Sequence, residues 1–248
     1  MFPLVAAISL GVLVAAWQLG AMAGVINVNL FPAPSTVAGA AVELMQTGQY
    51  WRDLGASLGR AGTGFLIALV LGVGMGLLTG RLLVFQVVLE PVLQILRPIP
   101  GIAWVPFAIL WFGVGELPKI FIVTLGAVLP IWLNTHIGAS STPVRHLETA
   151  ASLGVRGIEV FGRVVLPGAL PFIVAGIRQG LALSILMLAA AEQTGASSGI
   201  GYLITQSHSV FRTDRMLVGL ISLGLLGAVV DAAFSRLSRR VVHWELTS

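Results

Sequence analysis

The chain of 248 residues alternates long apolar runs with short polar interruptions. Six runs carry few or no charges, and their approximate limits are 3–24, 61–80, 84–112, 118–138, 168–192 and 216–235. A helix needs about 20 apolar residues to cross the hydrocarbon core of a bilayer. The pattern therefore predicts an all-α integral membrane protein with about six transmembrane helices.

Four prolines interrupt the third of these runs, at Pro91, Pro98, Pro100 and Pro106. Proline lacks a backbone N–H, and its ring clashes with the preceding helical turn. A straight, continuous helix is therefore not expected over residues 84–112. Irregular backbone at membrane depth is tolerated where protein buries it or where it lines a cavity.

The amino-terminal part of the chain contains no Lys or Arg before Arg52. A secretion signal begins with basic residues and has a short apolar core, so the first run is interpreted as a transmembrane helix. Residues 31–60 mix apolar and polar positions after Pro32 and Pro34. They predict a moderately amphipathic helix at a membrane surface.

Glycines recur every four residues in two of the runs. The first set is Gly72, Gly76 and Gly80, and the second is Gly176 and Gly180. Small residues on one face of a helix allow the backbone of a neighbouring helix to approach closely. Both sets therefore predict tight packing within a helical bundle.

Charged residues make up only 10% of the chain, whereas a soluble globular domain carries about a quarter. The net charge of +4 comes mostly from arginines near the ends of the apolar runs, which is typical of membrane proteins and does not indicate nucleic-acid binding. Basic loops favour the cytoplasmic side. The richer side of a six-helix arrangement holds Arg81, Arg145, Arg156, Arg163, Arg236, Arg239 and Arg240. Both termini are therefore expected in the cytoplasm.

The sequence contains no recognisable catalytic or metal-binding motif. The only lysine, Lys119, lies between Pro118 and Ile120, so the chain has no P-loop for ATP hydrolysis. The four histidines show no metal-ligand spacing, and there are no cysteines. No catalytic residue and no metal site is predicted, and any uphill transport must draw its energy from another protein or from an ion gradient.

Charges within apolar runs are costly and often functional. We consider Arg97, Arg178 and Glu192 as candidates for a translocation pathway, where the arginines would assist an anion. Arg178 and Glu192 lie about 21 Å apart along one helix and cannot pair there. Arg178 then needs a partner from another segment, a carbonyl or a passing anion. The alternative is that Arg178 braces the bundle and that Arg97 lies near cytoplasmic headgroups.

A charged interruption occupies residues 141–167, where the pattern predicts two short helices joined by a turn. Thr142 is a candidate N-cap, Pro143 suits the first helical position, and Gly154 is a natural stop. Leu166 and Pro167 mark the expected start of the fifth membrane helix. Apolar residues stand among the charges and suit docking into a groove of a soluble partner, namely Val144, Leu147, Ala151, Leu153 and Val155.

This stretch resembles the EAA loop of the permease subunits of binding-protein-dependent ABC importers. That pattern has Glu-Ala-Ala, three residues, Gly, nine residues and Ile-x-Leu-Pro. The matching positions here are Glu148, Thr149, Ala150, Gly154 and 164–167, with Thr149 and Val164 as departures. Residues 96–121 and 190–204 are similar to the nitrate/sulfonate/taurine branch, nearest to the sulfonate and taurine members.

The resemblance implies a type I ABC importer transmembrane fold in a bacterial inner membrane, with residues 1–248 as one permease domain and a cytoplasmic coupling helix. It implies ATPase subunits that bind ATP and Mg²⁺, a second and identical permease copy, and an external binding protein. The permease itself would be non-catalytic. The residues implied in coupling to the ATPase are Glu148, Thr149, Ala150, Ser152, Leu153, Gly154 and Val155.

The implied substrate is a small anion such as a sulfonate or taurine. Alternatives with the same architecture are nitrate, bicarbonate or another small solute. An ion-driven secondary transporter could use the carboxylates of Glu90 and Glu192. A membrane enzyme would need a polar constellation within the apolar runs, which the sequence does not offer.

Overall fold

The computed structural model describes residues 2–241, with the side chains of Arg239 and Arg240 and the whole of His243 outside the described part. Helices joined by short connections form this part of the chain. The α-helices are α1 (Phe2–Met22), α2 (Pro34–Gln46), α3 (Gln49–Arg81), α4 (Leu83–Leu96), α5 (Val105–Phe112), α6 (Glu116–Ser140), α7 (Val144–Ser152), α8 (Ile158–Val160), α9 (Leu166–Gln193), α10 (Ile200–Ser209) and α11 (Thr213–Val241).

Four helical stretches of the described residues are long and apolar enough to cross a membrane. They are Gln49–Arg81, Glu116–Ser140, Ile158–Gln193 and Thr213–Ser238. A fifth crossing results if α4 and the helix ending at Phe112 count as one bent span, and α1 contains the shorter apolar stretch Ile8–Met22. The predicted all-α membrane fold is confirmed, and each of the six apolar runs lies on these helices.

The third run is bent, as its prolines predict. The chain turns by 95° between α4 and the following helical segment, Gly101–Phe112. Pro98 and Pro100 lie in the bend, ahead of a 3-10 turn at Gly101–Trp104. Their missing N–H groups and fixed φ angles end α4, whereas Pro106 is tolerated in the first turn of α5, where no N–H bond is required.

Helix α3 is longer than its apolar run, because the polar residues before it are also helical. It has 33 residues and a length of about 50 Å at 1.5 Å per residue. Asp53, Ser57 and Arg60 repeat at helical spacing and are buried. The segment predicted as one surface helix is thus α2 followed by the first turns of α3, and both bury a face in protein.

Contacts divide the chain into two compact units. The first comprises residues 1–57 and 192–225. Its core joins α2 to α10 and α11 through Val37, Leu44, Leu203 and Val218. Away from this core, the Thr213 hydroxyl donates a hydrogen bond to the Asn29 carbonyl at 2.9 Å.

The second unit comprises residues 58–191 and 226–248, and α6 lies at its centre. Glycines on two helices face α6, as their spacing predicts. On α3, Gly72 faces Ile131, and Gly80 lies where an added Cβ would be 2.7 Å from the Cβ of Ala139. On α9, an added Cβ at Gly180 would be 2.8 Å from the Ile131 side chain. Helices α3 and α9 therefore approach α6 so closely that their backbones leave no room for a side chain at these glycines.

Helices α8 and α9 form one continuous helix of 36 residues from Ile158 to Gln193. A π-helical turn at Phe161–Val165 joins them. The expected start at Leu166 is the first residue of α9, but the second short helix predicted before it is not separate, because it continues into α9. Pro167 cannot bond to the carbonyl four residues earlier, at Arg163, and the widened turn accommodates its ring without ending the helix.

Gly76 offers a direct test of the packing around α6. A Cβ at this position would lie 2.8 Å from the Trp132 carbonyl oxygen and closer still to the Thr135 side chain. We expect Gly76→Ala to lower stability by about 1–3 kcal/mol, the usual cost of overpacking. Thermal unfolding of the purified protein in detergent measures the effect.

Gly74→Ala, on the same helix, is the matched control, because an added Cβ there meets no neighbouring atom within 4 Å. Equal stability of the two variants would contradict the packing described for α3 and α6.

Candidate functional site

Helix α7 begins without the predicted cap. Its N-cap residue is Pro143, whose backbone is extended at φ −60° and ψ 134°. The Thr142 hydroxyl instead donates to the Ala139 carbonyl, 3.3 Å away at the end of α6. The prediction of Thr142 as N-cap is wrong because the last turn of α6 uses that hydroxyl.

Helix α7 ends at Ser152, and Gly154 stops it as predicted. This glycine has φ +80°, and its N–H donates to the Ala151 carbonyl at 3.0 Å. The next N–H, of Val155, donates to the Ala150 carbonyl at 2.9 Å, which completes a Schellman motif. Gly157 follows with φ +59°, immediately before the long helix starts. The connection from α7 to α8 is therefore fixed by backbone geometry.

Three large apolar side chains project from this loop. Val144 is 67% exposed, Leu153 is 77% exposed and Ile158 is 82% exposed. Ala150 is buried, and α7 contacts the π-helical turn of the same unit. Of the predicted apolar residues, Val144, Ala151 and Leu153 are exposed, whereas Leu147 and Val155 are half-buried. The loop therefore has an apolar surface that is exposed to solvent and that no described residue covers.

The residues implied in coupling differ in exposure and in whether their side chains already form hydrogen bonds within α7. Glu148, Leu153 and Gly154 are exposed, and Val155 is half-buried. The Thr149 hydroxyl donates to the Arg145 carbonyl at 2.8 Å, and the Ser152 hydroxyl donates to the Glu148 carbonyl at 2.9 Å. Because both hydroxyls are satisfied within α7, the Glu148 carboxylate and the Leu153 side chain are the groups best placed to contact a partner.

A cavity of about 320 Å³ lies in the second unit at the bend between α4 and α5. Arg97 and Gln179 are the side chains that bring charge and an amide to its lining. The Gln179 Oε1 accepts a hydrogen bond from the Asn134 Nδ2 at 3.2 Å. The rest of the wall consists of leucines, prolines, glycines and other apolar residues, among them Met187. The break that the prolines predict therefore lines a cavity.

Arg178 is next to Gln179 in sequence but contacts a different helix. Its guanidinium forms two hydrogen bonds to the Asp231 carboxylate of α11, at 2.7 and 2.9 Å. The expectation of a partner from another segment is thus met by a carboxylate. The two side chains remain 58% and 51% exposed. Arg178 is not among the residues that line the cavity with Arg97.

Glu192 belongs to the first unit and is 1% exposed. Its carboxylate accepts hydrogen bonds from the Gly201 N–H and the Ser57 hydroxyl, both at 2.8 Å. Asp53 accepts from the neighbouring Gly199 N–H at 3.0 Å. These carboxylates satisfy donors at the start of α10, where the helix dipole also favours negative charge. The described contacts give Glu192 the role of a helix cap.

Sequence reasoning missed Asp231, Gln179 and the polar face of α3. Asp231 had a usable signal, because it is an acidic residue inside the apolar run 216–235 and could have been paired with Arg178. Gln179 had none, since a single amide in a helix does not indicate which face it occupies. Asp53 and Ser57 were assigned to a membrane surface because the length of α3 was underestimated.

The described residues thus form an all-helical membrane fold with a bent span, a central α6 and an exposed loop before a continuous long helix. The same fold occurs in the MetNI methionine ABC transporter in an inward-facing conformation, with a TM-score of 0.62 over 79% of this chain and 96% of that chain. Their sequences are 24% identical, so this similarity concerns the fold alone.

The chain belongs to the family of inner membrane components of binding-protein-dependent transport systems, whose profile matches residues 68–243. It is 39% identical to the SsuC protein of Escherichia coli, named for aliphatic sulfonate transport, over 94% of this chain and 88% of that protein. It is 30% identical to the taurine transport system permease TauC of the same organism, over 95% and 88%. The predicted family, its nitrate/sulfonate/taurine branch and the multi-pass inner-membrane location are confirmed.

The contribution of the Arg178–Asp231 ion pair to the stability of the protein can be tested by substitution. We expect Arg178→Gln and Asp231→Asn each to lower the unfolding temperature, because each leaves an unpaired charge within a membrane helix. The double variant should lose less than the sum of the two single losses. Thermal unfolding in nanodiscs measures all three.

Arg163→Gln is the control, since it removes an exposed pair with Glu159 at 3.7 Å in the loop region, where such pairs contribute little. Single variants as stable as Arg163→Gln, or fully additive losses, would refute a structural role for the pair.

Proposed function

We propose that the chain forms, with a second identical copy, the translocation pathway of an ATP-driven importer for a small organic anion of the sulfonate or taurine type. The proposal is carried by identity to the aliphatic sulfonate and taurine permeases over almost the whole chain. Nitrate, bicarbonate or another small solute remains the alternative cargo for the same architecture.

We propose that the loop formed by α7 and its turn couples the permease to a partner ATPase. The coupling residues are Glu148, Thr149, Ala150, Ser152, Leu153, Gly154 and Val155. The exposed Leu153 and Ile158 provide an apolar surface for a groove of the partner, and Glu148 provides a charged rim. The Schellman motif fixes the turn, and the long helix begins at Ile158. A displacement of the docked loop would therefore pass directly into α9.

We propose that the permease performs no catalytic chemistry of its own. ATP and Mg²⁺ would be bound by the ATPase subunits, and substrate would arrive from an external binding protein. Closure of the ATPase pair on ATP would move both coupling loops. That movement would turn the pathway from the cytoplasmic side to the external side.

The proposed second copy is supported by the exposed ion pair. Arg178 and Asp231 are about half exposed in one chain, although both lie in membrane-spanning helices. Paired charges facing lipid are costly, and such residues normally face protein or water. A second copy covering this part of α9 and α11, or a water-filled pathway beside it, would remove that cost.

Coupling can be tested at Leu153. We expect Leu153→Asp to abolish substrate-stimulated ATP hydrolysis by the assembled transporter and to weaken co-purification of the ATPase, because it places a charge in the proposed apolar contact. The measurement is ATPase activity in proteoliposomes with the loaded binding protein.

Val114→Asp is the matched control, since Val114 is 84% exposed in the short connection between α5 and α6 and outside the proposed contact. If both variants retained stimulated ATP hydrolysis, docking through this loop would be excluded. Failure of the unmodified permease to co-purify with any ATPase would exclude the proposed function itself.

A further inference from the structure

We propose that the cavity at the α4–α5 bend is a substrate subsite for aliphatic monoanions, which it would bind by the anionic group at Arg97 and Gln179 and by the alkyl chain along its apolar wall. It would therefore favour an unbranched alkanesulfonate over a zwitterion such as taurine. This inference rests on the proposed function and specifies the substrate class of the same pathway.

Arg97 is the cation available to a ligand at this cavity. It follows the last turn of α4, where its backbone N–H donates to the Leu93 carbonyl at 3.0 Å, and its side chain is exposed. Among the described residues its guanidinium forms no ion pair, in contrast to Arg178, which Asp231 engages. A guanidinium can bind two oxygens of an anion at once.

Gln179 is oriented as a hydrogen-bond donor. Its Oε1 accepts from the Asn134 Nδ2, and Asn134 in turn donates to the Pro130 carbonyl at 2.9 Å. Among the described residues the Gln179 Nε2 has no hydrogen-bond partner, so its two protons are available to a ligand. Arg97 and Gln179 thus both present donors, which suits an anion and not a cation.

The rest of the lining suits a hydrocarbon chain. The apolar side chains around the cavity include Leu96, Leu125, Leu129, Leu133, Leu183 and Met187. No carboxylate occurs among the lining residues of the described chain, so the ammonium group of a zwitterion would lose its hydration without gaining an ionic partner. At about 320 Å³ the cavity is at the small end of ligand sites and fits a short-chain molecule.

The test is direct binding to the permease–ATPase complex in the absence of the binding protein, which removes that protein's own selectivity. Methanesulfonate, ethanesulfonate, butanesulfonate and taurine are the probes. Trp104 lines the cavity, so a change in tryptophan fluorescence on adding the probe, if it is absent in Trp104→Phe, reports occupancy. We expect affinity to rise about three- to fourfold per methylene. Ethanesulfonate should bind at least tenfold more tightly than taurine, from which it differs by one ammonium group.

Variants separate the two ends of the subsite. Gln179→Leu should weaken all the sulfonates by about tenfold while leaving the dependence on chain length intact, since one hydrogen bond to a charged group is removed. Leu129→Asn should flatten the dependence on chain length. Gln94→Leu is the control, because the Gln94 amide donates to Glu90 on α4 and lies outside the cavity lining.

Equal affinity for ethanesulfonate and taurine, an affinity independent of chain length, or a Gln179→Leu variant that binds like Gln94→Leu would each overturn the inference. In a complex whose ATPase still responds to the loaded binding protein, any of these results would leave the proposed function standing. A permease that assembles with no ATPase would refute both.

Discussion

The second unit depends on close contact between α6 and the helices beside it. Within a bilayer the helices gain little from excluding water, so contact area and backbone approach decide whether they associate. Glycines on α3 and α9 meet α6 where Ile131, Thr135 and Ala139 face them. Once α6 is held on two sides, the bend between α4 and α5 has a firm wall to form against, and the cavity at that bend acquires a fixed shape.

A second constraint acts on charged side chains within the apolar helices, which are costly unless another protein group pairs with them. Arg178 meets Asp231, and Glu192 meets the N–H groups at the start of α10. Arg178 and Glu192, both considered for the pathway, are thus engaged by other parts of the protein. Arg97, at the proline break, lines the cavity instead. Both proposed functional sites therefore fall where the regular helical pattern of the chain is interrupted, one at a break in the backbone and one at a loop.

Much of this was predictable from sequence, and the failures have identifiable causes. Apolar length identified the membrane helices, prolines identified the bend, and the glycine at 154 identified the end of α7. The start of α3 was misplaced because a helix carrying a buried polar face resembles a surface helix when its partners are unknown. The prediction of Thr142 as the N-cap of α7 was wrong because its hydroxyl bonds to the last turn of α6. The Arg178 pair joins residues 53 positions apart, which periodicity within one segment cannot detect.

The π-helical turn at Phe161–Val165 sets the angular phase between two parts of the transporter. Successive residues of an α-helix are rotated by about 100°, so a widened turn offsets the direction of the docking loop from that of the membrane-embedded face of α9. Removing one residue from this turn would rotate the α7 loop by about 100° relative to the membrane-embedded face of α9. If the loop couples the permease to an ATPase, as proposed, the register of this turn sets the direction in which the loop meets that partner.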